Sequence, residues 1–437
     1  MSKRFWRLGD LAASVGGRWL SPPSDANSQV RGISIDTRTL RSGELFVAIR
    51  GERFDGHDYV KPALNAGAAA AVVDRADSEA TGIDGPVLLV DDAVTAMQSW
   101  ASAWRDELAR AGCRVIAVAG SNGKTTTRSL IHRVLTHAGL EGTQSPKSFN
   151  NHLGVPLTIL AASASDAFVV VEIGTNHPGE VGALASLVRP DAAVVVSLGR
   201  EHLEHFGSVE AVEREELSLL EHVRAGGPSW TPYDPPRAYE GKLGLAGSHN
   251  RSNAAYAAAV GRWMGCEGAA IEDALATAEP PAGRGVVREV AGMTILDESY
   301  NANPDSMRVA LDVLQERDAE RRVAVLGDMF ELGEHTAAWH NEVLAAAIRT
   351  ADRVLVVGEA FLRALEQAGQ APTVRAFASL DASAIAAIVD ELHRGDAVLL
   401  KGSRGMAMER ILAASMDRSS VSDASEGSKT HTDKPAR

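Results

Sequence analysis

The residues best suited to do chemistry lie in Ala119-Gly-Ser-Asn-Gly-Lys-Thr-Thr-Thr127, which follows the apolar run Arg114-Val-Ile-Ala-Val118 and opens a helical pattern from Thr125 to Ala138. A strand that turns through glycines into a helix N-terminus is an anion site: backbone amides point at the ligand and the helix dipole favours negative charge. In that frame Gly120, Ser121, Asn122, Gly123, Lys124, Thr125 and Thr126 cradle phosphates. Lys124 adds a point charge over the β/γ-phosphates, and the Thr125 hydroxyl offers an oxygen to Mg²⁺. The spacing departs from the strict P-loop, because Val118 and not glycine stands six residues before Lys124. A bare Gly-Lys-Thr is as often a turn before an ordinary helix. The strand before it and the helix after it favour a nucleotide-phosphate site, with ATP as the nucleotide.

Other polar residues stand where predicted strands end. Glu172 closes Val169-Val-Val-Glu172, His202 lies past the next apolar run, and Asp297, Asp328 and Lys401 each follow a later one. Any one of them alone reads as a loop residue or helix cap. Five in the same topological position predict a single cleft, since ligands of open α/β sheets bind beyond the carboxyl ends of the strands. Mg²⁺ takes only one or two carboxylates, and Glu172 is placed to be one.

The elements that must position these residues fall into three blocks. In residues 1–92, apolar runs Ile33–Ile35, Leu45–Ile49, Ala68–Val73 and Val87–Val90 alternate with helical stretches such as Val60–Ala66. Residues 93–283 carry the phosphate loop and the β-branched runs Ala167–Ile173 and Ala192–Leu198, which read as buried parallel strands of a doubly wound sheet. Residues 284–416 repeat the alternation through Met293–Leu296, Arg322–Leu326, Arg353–Val357 and Ala397–Leu400, a second, Rossmann-like sheet. The tail 417–437 is too polar to offset its ordering entropy and is expected to be disordered.

Composition narrows the function. The 437 residues, 45% hydrophobic and 23% charged, are those of an ordinary globular protein of several domains. A formal charge of −13 argues against a nucleic-acid or membrane-surface binder. Two cysteines, Cys113 and Cys266, without metal-ligand spacing fit a reducing compartment. Asp10 interrupts any signal-peptide core, and no run approaches the ~18 apolar residues of a membrane span. A cytoplasmic, monomeric protein is expected.

Strings along nearly the whole chain resemble the Mur ligases: Gly51-Glu-Arg-Phe-Asp-Gly-His57, the phosphate loop, Ser148-Phe-Asn-Asn-His-Leu-Gly-Val-Pro156, and Glu172-Ile-Gly-Thr-Asn-His-Pro-Gly-Glu180. Glu201-His-Leu-Glu-His-Phe-Gly207, Gly247-Ser-His-Asn-Arg-Ser-Asn253, Asp297-Glu-Ser-Tyr-Asn-Ala-Asn-Pro-Asp-Ser-Met307, Val325-Leu-Gly-Asp-Met-Phe-Glu-Leu-Gly333 and Lys401-Gly-Ser-Arg-Gly405 extend the likeness. Tyr300–Pro304 and Gly327–Gly333 point to the branch that adds D-alanyl-D-alanine. The Asp-Asn-Pro-Arg of the diaminopimelate-adding relative is absent.

The resemblance implies an α/β protein of three domains: a small N-terminal UDP-substrate domain, a central P-loop-type ATPase sheet and a C-terminal Rossmann-like domain. It implies ATP, Mg²⁺, UDP-N-acetylmuramoyl-tripeptide and D-alanyl-D-alanine as ligands, joined through an acyl phosphate with release of ADP. By position it assigns Thr37, Arg38, Gly51, Asp55, Gly56 and His57 to the uridine-diphosphate pocket, and Asn150 and Asn151 to the muramoyl peptide. Asn250, Arg284 and Asp297 fall to ATP; Asn301, Asn303 and Asp328 fall to D-alanyl-D-alanine. Thr125, Glu172 and His202 fall to the metal, and Lys124, Glu172 and His202 to catalysis; Glu216, in register with a metal-binding lysine of relatives, is read as its substitute in both roles.

Two features depart from the family pattern. Where relatives carry a carbamylated lysine, this chain has Glu216, within Glu213-Arg-Glu-Glu216. The interval Leu217–His249 is short and holds the connector Gly226-Gly-Pro-Ser-Trp-Thr-Pro-Tyr-Asp-Pro-Pro236, so central-sheet strands are expected to be missing while the fold survives. A sister ligase with another acceptor, and a nucleotide- or UDP-sugar-binding protein without turnover, are the alternatives.

Overall fold

The computed structural model describes residues 7–76, 84–369 and 371–427. It contains three sheets. The first holds β1 (Arg18–Ser21), β2 (Gly32–Ser34), β3 (Glu44–Val47), β4 (Ala70–Val73) and β5 (Val87–Leu89) in the order β1-β5-β4-β3-β2, parallel except where β1 runs against β5. The second holds β6 (Arg114–Ala119), β7 (Gly142–Gln144), β8 (Phe168–Glu172), β9 (Ala192–Val195) and β10 (Ser229–Trp230), all parallel, in the order β10-β9-β6-β8-β7. The third holds β11 (Val286–Val290), β12 (Met293–Glu298), β13 (Arg321–Gly327), β14 (Arg353–Val357), β15 (Val374–Phe377) and β16 (Asp396–Lys401) in the order β11-β12-β16-β13-β14-β15. Only β11 is antiparallel there, paired with β12.

The parallel strands are buried on both faces, as continuous Val, Ile, Leu and Ala runs require when helices cover both sides. β6 and β8 are fully buried apart from Arg114. One hydrophobic cluster runs without a break from Leu45, Val72 and Leu88 of the first sheet to Val115, Val171 and Ala193 of the second. The helix Ala93–Arg110, capped by Asp92 through Thr95 N, lies in that shared core with Trp100 and Trp104 buried. The two clusters of the third sheet begin only at Val290 and Leu296. Apolar packing therefore joins the first two units and stops short of the third.

The shortened interval supplies only the two-residue strand β10, beside β9. Because β10 sits at the sheet edge, its brevity leaves the central order around β6 intact. The last helix is Glu409–Gly427, and residues 428–437 of the expected tail lie outside the described residues. No helix among the described residues is long and apolar enough to cross a membrane.

Candidate active site

β6 delivers the chain into Gly120–Gly123, and the helix Lys124–His137 begins at once. Two glycines are obligatory here. Gly120 has φ +116°, and a Cβ on it would lie 2.8 Å from the Ser197 backbone; Gly123 has φ +83°, and its Cβ would lie 2.8 Å from Asn253 Oδ1. The loop is stitched to the segment after β9: Ser121 N donates to Ser197 O (2.8 Å), Asn122 N to Ser197 Oγ (2.7 Å), and Gly199 N to Ser121 Oγ (2.9 Å).

Lys124 Nζ folds back on Gly120 O (2.6 Å) and lies 3.6 Å from Glu201 Oε1. Burial works to discharge this lysine, but the carboxylates of Glu201, Glu216 and Glu172 outweigh it and raise its pKa. Glu216, from the helix Val209–Leu217, is wholly buried, and its Oε2 accepts from Gly120 N at 2.6 Å. Burial, opposed by Lys124 and reinforced by Glu201, pushes its carboxyl up to about 8. The neighbouring Glu215 is buried for another reason: it accepts from Gly179 N (2.7 Å) and Val181 N (2.8 Å) at the start of the helix Glu180–Val188. Glu213, by contrast, reaches only the exposed Tyr233 hydroxyl, at 2.9 Å.

Three buried oxygens at the loop lack a hydrogen-bond partner: Thr125 Oγ1, Glu201 Oε1 and Glu216 Oε1. Hydroxyl and carboxylate oxygens are the donors Mg²⁺ accepts, with water and phosphate completing the shell. The site therefore fits the ion. The expected foursome is not gathered, however. Glu172 accepts from Arg128 Nε (3.2 Å) and Asn150 Nδ2 (3.1 Å), and His202 Nδ1 lies 2.6 Å from Glu331 Oε2. Among the described residues no group of three or more His, Cys, Asp or Glu stands ready to hold a metal.

The third sheet closes over this loop. Asn303 Nδ2 donates to Asn122 Oδ1 (2.9 Å), and Tyr300 Oη donates to Ser148 Oγ (2.7 Å). Arg284 stacks on Tyr300, 3.9 Å from the ring centre. Asp297 accepts from Ser299 Oγ (2.5 Å) at the end of β12, and Lys401 Nζ, at the end of β16, donates to Asn301 O (3.0 Å). Asn250 is buried in the helix Ser248–Trp263 and accepts from Asn253 Nδ2 at 2.9 Å. Asn151 caps the helix Gly154–Ala161 by accepting from Gly154 N at 2.9 Å.

Asp328 has a structural task. Its oxygens accept from Ala360 N and Phe361 N, both at 3.0 Å, at the start of the helix Glu359–Ala368. Asp328→Ala should therefore lower folding stability by ~1–2 kcal/mol, the worth of a helix cap. A denaturation midpoint unchanged in Asp328→Ala, with a raised KM for the amine substrate, would instead assign the carboxylate to ligand binding.

In the first unit the residues that the resemblance assigns to a uridine-diphosphate pocket follow β2 and β3. Thr37 is half-buried, while the exposed Arg38 pairs with Asp36 through Nη2 at 2.6 Å. The Gly51–His57 loop is held from inside: Asp55 accepts from His57 Nδ1 (2.7 Å) and Arg75 Nη1 (2.7 Å), and His57 Nε2 lies 3.1 Å from Asp74. Gly51 N closes the loop on Phe54 O at 2.9 Å, and a Cβ on Gly56 would meet Ile49 N at 2.5 Å.

Three family models match the chain in sequence: Mur ligase family, catalytic domain, over residues 29–118; Mur ligase middle domain over 118–241; and Mur ligase, glutamate ligase domain, over 283–404. The chain belongs to the Mur ligase family. Among relatives of this Mur ligase, the UDP-N-acetylmuramoyl-tripeptide–D-alanyl-D-alanine ligase of Bacillus subtilis is 31% identical, the match covering 92% of this chain and 96% of that protein. The enzyme of the same name from Escherichia coli is 32% identical over 87% and 93% of the two chains. Among solved structures, MurF from Acinetobacter baumannii superposes with a TM-score of 0.84 at 27% identity, covering 94% of this chain and 99% of that one. MurF ligase from Thermotoga maritima, solved with ADP, gives 0.76 at 25% identity over 90% and 99%.

Sequence reasoning about this Mur ligase missed Glu201, Arg128 and Arg200. Arg128 was within reach, since it follows Lys124 by one helical turn on the same face. Glu201 directly precedes His202 in a string already singled out.

Proposed function

We propose that this Mur ligase joins D-alanyl-D-alanine to UDP-N-acetylmuramoyl-tripeptide in peptidoglycan precursor synthesis. ATP phosphorylates the peptide carboxylate, the amine displaces phosphate from the acyl phosphate, and UDP-N-acetylmuramoyl-pentapeptide, ADP and phosphate leave. The observation that carries the reading is the phosphate loop closed over by Asn303 and flanked by Tyr300, residues of the string that marks the D-alanyl-D-alanine-adding branch.

A carboxylate is a poor electrophile, so the protein must neutralise charge and align groups more than it must supply covalent chemistry. Amides at the start of the helix Lys124–His137, past the three loop amides already bonded within the protein, receive the triphosphate together with the Lys124 ammonium. Thr125, Glu201 and Glu216 would hold Mg²⁺, which when bound screens the transferring phosphoryl group. Glu172, gripped by Arg128 and Asn150, ties the loop helix to the segment that faces the peptide. Two free cysteines accord with a cytoplasmic setting.

ADP release measured with tripeptide and dipeptide each omitted in turn tests the assignment. Release must need both; turnover with another amine alone would overturn it. The first sheet is tested separately. Arg38→Ala should raise the KM for the UDP-linked substrate about tenfold, the worth of one charge-assisted hydrogen bond, with kcat and the KM for ATP unchanged. A shift in the ATP KM instead would place the substrates in the wrong units.

A further inference from the structure

Arg200 is the most heavily bonded residue that the ligase reading leaves without a task. It follows β9 in the central unit, yet every partner of its side chain belongs to the third. Nε and Nη2 donate to Asp305 Oδ1 at 2.9 and 2.6 Å, and its own backbone N donates to Asp305 Oδ2 at 2.8 Å. Nη1 donates to Glu342 Oε2 at 3.1 Å, and the guanidinium lies over Trp339, 4.3 Å from the ring centre. Asp305 opens the helix Pro304–Gln315, and Trp339 and Glu342 lie on the helix Thr336–Thr350. The side chain is 16% exposed, so the pairs are poorly screened.

Its neighbours in sequence grip the phosphate loop. On one side Gly199 N donates to Ser121 Oγ at 2.9 Å; on the other Glu201 lies 3.6 Å from Lys124. Three consecutive residues thus hold the loop, the third unit, and the loop's lysine. The helix that Asp305 opens is capped by Asn303, which also reaches Asn122.

We propose that Arg200 is a positioning residue, a clasp that transmits closure of the third unit to the Glu201–Lys124 end of the phosphate loop. Its planar guanidinium converges Nε and Nη2 on one Asp305 oxygen and turns Nη1 to Glu342 while its face stacks on indole; a lysine ammonium cannot do all of this together. The clasp rests on the ATP-ligase reading for its effect on rate but not for its effect on shape.

The test reads both. Dyes are placed on Cys266, which is part-exposed whereas Cys113 is buried, and on a cysteine introduced by Glu366→Cys on the exposed side of the helix Glu359–Ala368. Arg200→Ala and Arg200→Lys should both lengthen the dye separation in the unliganded protein, and Glu342→Gln should lengthen it less. Turnover at saturating substrates should fall about tenfold in Arg200→Ala, with the lysine variant failing to rescue it and the KM for the UDP-linked substrate unchanged. An unaltered dye separation in both Arg200 variants overturns the clasp whatever their activity. Full rescue by lysine overturns it too. A wild-type protein without turnover would sink the ligase reading alone, because the separation is measured without it.

Discussion

Lys124→Ala is expected to lower turnover by at least ~10²-fold, the usual effect of removing one preorganised charge from a transferring group. The ammonium is available for that task. It contacts only backbone carbonyls at hydrogen-bond distance, Gly120 O at 2.6 Å and Ser121 O at 3.4 Å, and three nearby carboxylates keep it protonated despite burial. Besides the lysine, Ser197 and Gly199 hold the loop through three further hydrogen bonds, so the variant should fold. Steady-state ADP release beside a thermal melt checks both halves. Near-normal release from a folded variant would remove the phosphate-loop assignment.

Glu216→Ala should cost a similar factor, at least ~10²-fold, and should raise the Mg²⁺ concentration needed for half-maximal activity. Glu213→Ala should do neither, since its carboxylate meets only an exposed tyrosine. A carbamylated lysine in relatives is a carboxylate formed reversibly from CO₂; Glu216 needs no CO₂, only the loss of its proton when a cation binds. Wild-type activity should therefore be indifferent to added bicarbonate. The pH dependence has a definite sign. With its carboxyl raised from 4.5 to about 8, Glu216 favours the folded state only while protonated, so its contribution is complete below 4.5 and is lost as pH rises toward 8. Metal-free protein should melt at lower temperature as pH climbs through that window, and Glu216→Gln should flatten the trend. Equal activity losses in the Glu213 and Glu216 variants, or stimulation by bicarbonate, would refute the substitution.

What the sequence disclosed was whatever is contiguous. The phosphate loop is one string, and Glu172, Asp297, Asp328 and Lys401 could be placed at strand ends because buried parallel strands are unbroken apolar runs. Strands β1, β7, β11 and β15 escaped notice because they are edge or outer strands. Val286–Val290, with three exposed residues in five, has no apolar run to read. Roles were harder than places. Asp328 and His57 stand where the family pattern puts them, yet their side chains hold local structure in ways no motif announces. Contacts such as Arg200 with Asp305 join segments 105 residues apart, and nothing in either string names the other.

The distribution of apolar packing has a thermodynamic consequence. A continuous core makes the first two sheets one cooperative body, whereas the contacts named between it and the third sheet are hydrogen bonds, ion pairs and ring stacking. Polar contacts exchange readily for water, so the seam carries little of the heat of unfolding. Melting of this chain is accordingly expected to be two events and not one, with a single midpoint belonging to neither. A ligand that bridges the seam would then act as its thermal glue, drawing the two transitions together.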